Sequence, residues 1–468
     1  MKKQINYILL LALSSSVLSC GKSFLEVEPK GSLIASKTTE YENMLYNSLS
    51  VGFDAPALIL GDDATVLDTY FGASPVPLQR LFRYQADVYE PEASADELLL
   101  PIRNIYLYNK IINEVMDSEG GTQESKRSIQ AEAKASRAFF NLYLINYYGK
   151  PYHSSTASVD LGIPLITQAD VAQNNFMRAT VQQVYDNMIN DLKEAIPLIP
   201  VNVPNRLRMC KSAAELTLAK IYWFMGSYDQ ALTLIKQAKS HMPTSFENYI
   251  YNYNQTYAAG TWTVASGIQN NQNLLARTST SFMTNTSNNM LLAPWVAKLY
   301  SKNDQRLKSF STRPYLGTAT FPIEGMSRRI GPFGAQAPQG VYLPDVELMQ
   351  AECEARTGNI DAATSILINF REKRMPADEA KVAAMDNSNL IKFIIEERVR
   401  EFALYGWRWF DMRRLANDPL FKDKLYEHYV YGAKEGKVVE TIKLTTERLT
   451  LRFPLGVIAR NPGMENNP

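Results

Sequence analysis

The acidic residues near the start of the chain are the side chains that could act in acid–base catalysis. Asp62, Asp63 and Asp68 stand close together in a loop-like stretch, and a pair of carboxyl groups is what hydrolysis of a glycosidic bond requires. The two members of such a pair are often distant along a chain, so the sequence leaves this reaction open. It contains no His-Glu-x-x-His, Gly-x-Ser-x-Gly, phosphate-loop or dinucleotide motif. We therefore predict that the protein is not an enzyme, with a surface glycosidase as an alternative.

The chain contains few residues that could bind a metal or form a disulfide. There are three histidines and three cysteines in 468 residues. His153, His241 and His428 are isolated, and none has the spacing of metal ligands, so we expect each on a loop or at the surface. Cys210 and Cys353 are expected to be free thiols packed within helices. No metal and no cofactor are predicted.

A charged block near residue 400 invites a catalytic interpretation, but its spacing favours a structural one. Glu397, Arg400 and Glu401 are spaced i, i+3 and i+4, which places them on one face of a helix as ion partners. We expect the turn that follows to be fixed by a further charged group, namely Arg408, Asp411 and Arg413. The block is therefore predicted to form a structural charge network.

The residues best suited to binding a ligand lie in an unusually neutral region. Between residues 248 and 297 there is one charged residue, Arg277, among many tyrosines and amides. Aromatic rings stack on the apolar faces of sugars, and amides donate to and accept from hydroxyl groups. The alternative is a loop region whose tyrosines pack over helices while its amides cap turns. Judged by residue type, the predicted ligand contacts are Asp68, Tyr70, Arg80, Tyr257 and Trp262, although each is also compatible with a structural role.

Composition narrows the function classes and the architecture. Lys and Arg number 49 against 48 Asp and Glu, which leaves a formal net charge of +1. A near-neutral chain lacks the broad positive surface of a nucleic-acid-binding protein, and no nucleic-acid partner is predicted. The 46% share of hydrophobic residues excludes a disordered chain. A single compact core rarely holds more than about 300 residues, so we expect two lobes or stacked repeats.

Hydrophobic periodicity indicates that helices position these residues. From Ile129 to Tyr148 apolar and aromatic residues recur every three or four positions, and Gly149 and Pro151 mark the end of the helix. No stretch alternates with period two over several strands, so the protein is predicted to be mostly α-helical. Ser/Thr-x-x-Glu/Gln capping boxes predict two more helix starts, at Thr180 with Gln183 and at Ser212 with Glu215.

An internal repeat suggests how the helices are arranged. Two sets of residues have the same spacing: Ala219, Gly226, Ala231 and Ile235, and then Ala351, Gly358, Ala363 and Leu367. Small residues around a turn glycine allow two antiparallel helices to approach closely. The pattern resembles the tetratricopeptide repeat, in which each helix pair buries its apolar face by stacking on the next pair.

The N-terminus carries a targeting pattern. Lys2 and Lys3 precede an apolar run, Ile5–Leu13, which is too short to span a membrane and is typical of a secretory signal. The segment Val17–Cys20 resembles a bacterial lipoprotein signal, in which the Cys20 thiol receives the lipid. We therefore predict a signal peptide over residues 1–19 and a lipid anchor at Cys20. The alternative is an ordinary signal peptide with a chance cysteine.

Several segments together resemble the SusD/RagB family of Bacteroidetes surface lipoproteins. They are the stretch from Cys20 to Pro29, the block from Ala135 to Tyr152, the segment from Glu396 to Arg414 and the end of the chain. The resemblance implies a mostly α fold of tetratricopeptide-like helical repeats, with long loop insertions and little β structure. It divides one continuous fold into a tether (20–38), an N-terminal helical-repeat part (39–245), a polar, aromatic-rich loop insertion (246–340) and a C-terminal helical part (341–468).

The same resemblance implies a role in nutrient uptake. Members work at the outer membrane with a SusC-like TonB-dependent β-barrel transporter, to which they deliver a nutrient. For this chain we expect a lipid-anchored, surface-exposed protein whose ligand is an oligosaccharide or another small nutrient. A helical-repeat scaffold, or a peptide-binding lipoprotein without a glycan ligand, is the alternative.

Overall fold

A computed structural model describes residues 35–46, 56–257, 265, 267–280, 287–331 and 336–468. The predicted signal peptide, Cys20 and Trp262 lie outside these residues. No helix in the described ranges is both long enough and apolar enough to cross a membrane.

The prediction of a mostly helical protein is confirmed, since seventeen α-helices account for most of the regular structure in the described residues. In chain order they are α1 Thr38–Met44, α2 Ala57–Leu60, α3 Asp68–Phe71, α4 Val76–Phe82, α5 Asp96–Glu114, α6 Gln123–Tyr148, α7 Val181–Ala195, α8 Lys211–Phe224, α9 Tyr228–Ser240, α10 Tyr253–Thr256, α11 Pro294–Ala297, α12 Leu343–Arg356, α13 Ile360–Arg371, α14 Ala377–Ala380, α15 Asn387–Phe402, α16 Trp407–Leu415 and α17 Leu455–Arg460.

Strands are short and mostly paired in twos. They are β1 Ala64–Leu67, β2 Leu161–Pro164, β3 Arg178–Thr180, β4 Asn273–Leu275, β5 Thr278–Thr280, β6 Leu291–Leu292, β7 Phe310–Ser311, β8 Arg328–Arg329, β9 Gln336–Pro338, β10 Val341–Tyr342, β11 Glu427–Gly432 and β12 Lys437–Lys443. The largest sheet has four strands in the order β12-β11-β1-β6. Its two central strands, β1 and β11, are parallel although more than 350 residues separate them.

Helix α6 forms the centre of the N-terminal part. It packs against α5 on one side and α7 on the other, and almost every side chain from Ile129 onward is buried. The helix ends at Tyr148, as predicted, and Gly149 follows in an extended conformation. The buried aromatic residues of α6 therefore join three helices into one core.

The predicted internal repeat corresponds to two real helix pairs. Helices α8 and α9 form one antiparallel pair, α12 and α13 form the other, and the two pairs pack together through α9 and α12. Gly226 and Gly358 adopt left-handed backbone angles, with φ of 77° and 87°, so each turn requires a residue that tolerates this region. The small residues of the repeat, including Ala219, Ala231 and Ala351, are fully buried.

One of the two predicted capping boxes is correct and the other is wrong. Thr180 caps α7 by accepting from the backbone N–H of Gln183, whose side chain bonds back to Thr180. Helix α8, in contrast, begins after Cys210 and has no side-chain cap. Ser212 donates to the carbonyl of Ala238 on the neighbouring helix. The side chain of Glu215 instead contacts His241 at 2.8 Å, so contacts between helices take the groups that a local cap would use.

The charged block near residue 400 is a buried network of ion pairs, as predicted. Glu397 binds three guanidinium groups, those of Arg306, Arg371 and Arg400. Glu401 does not pair within its own helix but binds Arg306 and Arg374. The remaining members of the block bind other segments, with Arg408 on Asp62, Asp411 on Arg398, and Arg413 donating to the carbonyl of Gly149. Asp411 also pairs with Arg414 within its own helix.

The sulfur and imidazole groups only partly match the predictions. Cys210 and Cys353 are buried free thiols, as expected. His428, predicted on a loop or at the surface, is fully buried on β11. Its ring stacks against Phe82 and Tyr84 and contacts the carbonyl oxygens of Phe82 and Gly61. Its surroundings come from segments far away in the sequence, which is why the local pattern gave no sign of its burial.

Candidate functional site

Half-buried tyrosines line one face of strand β11. Burial alternates along the strand, so Glu427, Tyr429 and Tyr431 point to one face while His428 and Val430 point into the core. The two tyrosine rings lie 6.4 Å apart between centroids. Period-two alternation thus presents aromatic rings on the outer face of the four-stranded sheet.

Tyr70 and Phe321 extend this face beyond the strand. Tyr431 is paired with Leu67 of β1, and Tyr70 follows three residues later in α3. The ring of Tyr70 meets the buried ring of Phe321 edge-on at 6.5 Å. A small apolar cluster, separate from the main core, includes Leu67 and Phe321 and has Tyr70 and Tyr431 packed against it. We call Tyr70, Phe321, Tyr429 and Tyr431 the aromatic surface.

Tyr429 and Tyr431 are neutral hydrogen-bonding groups at physiological pH. The phenol of Tyr429 donates to a carboxylate oxygen of Glu427 at 2.5 Å, which raises the pKa of Tyr429 to about 12. Burial also raises the pKa of Tyr431. The surface therefore combines apolar ring faces with phenolic hydroxyls that can donate and accept hydrogen bonds.

Asp68 lies beside the aromatic surface, so the structure brings two of the five predicted contacts together. This exposed carboxylate accepts hydrogen bonds from the backbone N–H groups of Thr69, at 2.6 Å, and Ala433, at 3.0 Å. Ala433 follows β11 and packs on the same small cluster as Tyr70. Asp68 therefore joins α3 to the end of β11 and adds a negative charge at the rim.

The other predicted contacts occupy different surroundings. Arg80 forms an ion pair with Glu90 at 2.7 Å and donates to the carbonyl of Val88. The side chain of Tyr257 is 6% exposed, and its hydroxyl lies 3.3 Å from that of Ser309. Trp262 lies outside the described residues. Among the described positions, Asp68 and Tyr70 are thus the two that meet at one surface.

Three amides in the described part of the neutral region serve the interior. Asn270, Gln272 and Asn273 are fully or almost fully buried. Gln272 donates to the hydroxyl of Tyr342 at 2.7 Å and accepts from the backbone of Tyr251. These contacts agree with the packing alternative for this region, in which amides satisfy buried polar groups.

Asp62 and Asp63 are buried structural groups rather than an open catalytic pair. Burial alone would raise the pKa of Asp62, but its ion pair with Arg408 lowers it below the ordinary value. Asp63 accepts from the backbone N–H of Leu404 at 2.7 Å, and burial raises its pKa to about 7. No cluster of metal-ligating side chains occurs within the described ranges.

Tyr429, Tyr431 and Phe321 are members of the surface that the sequence analysis missed. Burial alternates along Glu427–Gly432 in the structure, but the sequence Glu-His-Tyr-Val-Tyr-Gly does not alternate in polarity and gave no local signal. The neighbouring strand β1 comes from residues near 65, so its pairing with β11 could not be predicted locally either.

Comparison with known proteins agrees with the fold. A family model described as "Starch-binding associating with outer membrane" matches residues 87–223, and the model of the SusD family matches residues 343–468. No curated protein shows significant similarity to the chain.

Solved structures match nearly the whole chain. A SusD superfamily protein from Bacteroides vulgatus is 20% identical, with 92% of this chain and 99% of that chain covered and a TM-score of 0.71. A SusD-like carbohydrate binding protein from the same species is 19% identical, with coverage of 85% and 86% and a TM-score of 0.63. Surface glycan-binding protein A from Bacteroides uniformis is 16% identical, with coverage of 92% and 98% and a TM-score of 0.66. The two family models lie in separate halves of this helical fold and together span more than half of the sequence, so the chain belongs to the SusD family.

Proposed function

We propose that the protein binds an oligosaccharide at the aromatic surface and passes it to a SusC-like TonB-dependent transporter. The observation that carries the binding step is a set of three half-exposed rings. Tyr429 and Tyr431 lie on one face of β11, and Tyr70 of α3 packs with Tyr431 on the cluster around Phe321. Ring faces bury the C–H faces of a sugar. Phenols donate to and accept from its hydroxyl groups, and the Asp68 carboxylate accepts from them. The reaction is capture and release, with no covalent step.

Rigid support makes this surface suitable for capture. Leu67 and Phe321 are 3% and 6% exposed, respectively, so the half-exposed rings of Tyr70 and Tyr431 rest on a packed base. Less conformational entropy is lost when a ligand meets side chains that are already held in place. The two tyrosines are therefore the residues whose truncation is most informative.

Two variants test the binding step. We expect the double substitution Tyr70→Ala and Tyr431→Ala to weaken oligosaccharide binding at least tenfold, because covering about 30–60 Å² of each ring at about 25 cal/mol per Å² contributes about 0.75–1.5 kcal/mol per ring. The matched control is Tyr249→Ala, an exposed tyrosine outside the aromatic surface. Isothermal titration with a panel of neutral oligosaccharides, including malto-oligosaccharides, measures both. Equal affinities in the wild type and the double variant would remove the aromatic surface from the binding site.

Delivery and anchoring form the second half of the proposal. The N-terminal leader and Cys20 support a lipid anchor, and the matched family description supports an association with the outer membrane. Replacing Cys20 with Ala should release the protein from the membrane fraction. A pull-down through a C-terminal tag from detergent-solubilised outer membranes should recover a large TonB-dependent barrel in near-equal amount.

The pull-down also discriminates the competing function. Stacked helix pairs such as α8–α9 and α12–α13 would suit a scaffold that binds a protein or peptide. Recovery of unrelated proteins without a barrel, together with no response to any oligosaccharide, would favour that scaffold.

A further inference from the structure

A separate apolar cavity of about 250 Å³ lies between α5, α6, strand β2 and the C-terminal helix α17. None of its lining residues belongs to the aromatic surface. Aliphatic side chains such as Ile102, Ile105 and Leu144 form one wall, and the rings of Phe176 and Phe453 form another. An engineered apolar cavity of about 150 Å³ is enough to hold benzene, so this cavity can take a larger apolar group.

Several of the cavity walls are parts of the hydrophobic core. Ile105, Leu144 and Phe453 are between 1% and 4% exposed, and the ring of Phe453 stacks on Tyr148 with centroids 4.5 Å apart. The backbone N–H of Phe176 donates to the side chain of Asn461 at 3.0 Å, which holds the backbone of the loop that carries the remaining ring. The cavity is therefore present before any ligand arrives, as in most small-molecule sites.

Polar groups around the cavity leave a positive charge at its edge. Asn461 is occupied, because it accepts from Phe176 and donates to the carbonyl of Val457 at 2.8 Å. Arg460 is the charged lining residue, is exposed, and has no ion pair with any described carboxylate. Behind Phe453, the guanidinium of Arg178 lies 5.3 Å from the ring and donates to oxygen atoms such as those of Tyr148 and Gly162. Arg178 likewise forms no ion pair within the described ranges.

We propose that this cavity binds a medium-chain fatty acid, with the acyl chain among the aliphatic and aromatic walls and the carboxylate at Arg460. Apolar walls favour a hydrocarbon chain over a sugar, whose hydroxyl groups would find few partners there. An unpaired cation at the edge favours an anionic head group over a neutral one. This site is independent of the proposed carbohydrate site, so either can fail without the other.

Titration calorimetry of the purified protein with sodium decanoate, below its micelle-forming concentration, tests the assignment. We expect saturable binding at one site. Octanoate should bind more weakly, by about fourfold for each missing methylene group. The uncharged control ligand is 1-decanol, which tests the role of the carboxylate.

Three variants identify the location. Ile102→Trp places a large ring in the cavity and should weaken decanoate binding more than tenfold. Arg460→Gln should weaken decanoate by about two- to fivefold, as expected for an exposed ion pair, and should leave 1-decanol unchanged. Arg127→Gln removes an exposed arginine of α6 that does not line the cavity. It should leave the affinity for both ligands unchanged.

Each result supports or overturns the proposal. Circular dichroism and thermal midpoints establish whether the variants fold. If Ile102→Trp does not fold, Arg460→Gln still tests the location of the site. No saturable decanoate binding by the wild-type protein would overturn the site. Binding that both Ile102→Trp and Arg460→Gln leave intact would place it elsewhere. Equal loss of decanoate and 1-decanol in Arg460→Gln would refute recognition of the carboxylate.

Discussion

The buried carboxyl group of Asp63 should make the stability of this protein depend on pH near neutrality. It sits beside the ion pair between Asp62 and Arg408 and accepts a hydrogen bond from the backbone of Leu404. Burial raises the pKa of Asp63 from 3.8 to about 7. The folded protein therefore holds a proton on Asp63 at a pH where the unfolded chain has already lost it.

The sign and size of the effect follow from that shift. A pKa that is raised in the folded state stabilises the folded protein fully at pH values below the pKa of the unfolded chain, which is near 4. This stabilisation is lost as the pH rises through about 7. The full shift of about three pKa units corresponds to about 4 kcal/mol, at 1.36 kcal/mol per unit. From pH 5 to the folded-state pKa of about 7, the pH rises by roughly two units. The contribution of Asp63 to the free energy of unfolding should therefore fall by about 2–3 kcal/mol between pH 5 and pH 8.

Asp63→Asn isolates this contribution, because an amide is neutral at every pH and keeps an oxygen that can accept from Leu404. Burial lowers the pKa of the nearby His428, so its contribution to stability rises with pH, opposite to that of Asp63. The informative quantity is therefore the difference in the free energy of unfolding between the variant and the wild type. Relative to the wild type, the variant should gain about 2–3 kcal/mol in the free energy of unfolding on going from pH 5 to pH 8. Urea unfolding followed by circular dichroism at both pH values measures it.

The matched control is Glu379→Gln. Hydrogen bonds from Ser301 and Asn303 lower the pKa of the exposed Glu379 below its ordinary value, so this group stays ionised across the whole range. Its substitution should change stability equally at pH 5 and pH 8. If Asp63→Asn also gives the same change in unfolding free energy at both values, the carboxyl group is not held neutral by burial and the reasoning fails.

Two further substitutions test the network and the repeat. Glu397→Gln leaves buried guanidinium groups, including those of Arg371 and Arg400, short of a negative partner, so it should lower the free energy of unfolding by about 3–5 kcal/mol. The control, Glu396→Gln at the half-exposed neighbouring residue, should lower it by under about 1 kcal/mol. Similar losses in the two variants would argue against the network. Gly358→Ala meets no atoms but must adopt a φ of 87°, so urea unfolding should show a loss of about 1–2 kcal/mol from backbone strain, whereas an unchanged midpoint would contradict a strained turn.

The helical architecture was predictable because its signals are local. The spacing around Gly226 and Gly358 encodes two helix pairs within about 30 residues each, and the box at Thr180 caps its own helix. The box at Ser212 failed for the complementary reason. Its two side chains are used by α9, through Ala238 and His241, and a contact between helices leaves no mark in a four-residue window.

The candidate site was less predictable, because contacts between distant segments assemble it. Tyr70 and Asp68 were found from residue type alone, but nothing in the sequence pairs Leu67 with Tyr431. Tyr257 has the same ring chemistry as Tyr70 and lies in the neutral region rich in tyrosines and amides. It is nevertheless only 6% exposed. Residue type therefore indicates what a side chain can do, whereas the fold decides whether it reaches a ligand.

The position of the aromatic surface also explains why the long helical scaffold needs its small sheet. A stack of helix pairs buries its apolar faces between neighbours, which leaves few adjacent rings facing solvent. Strand β11 presents rings at every second residue, and pairing with β1 fixes them next to α3. The parallel pairing joins the start of the chain to its last part, so a truncation that removes β11 would take away two rings and the support of Tyr70 together. We therefore regard the sheet as the element that places the rings of the proposed binding site on the helical scaffold.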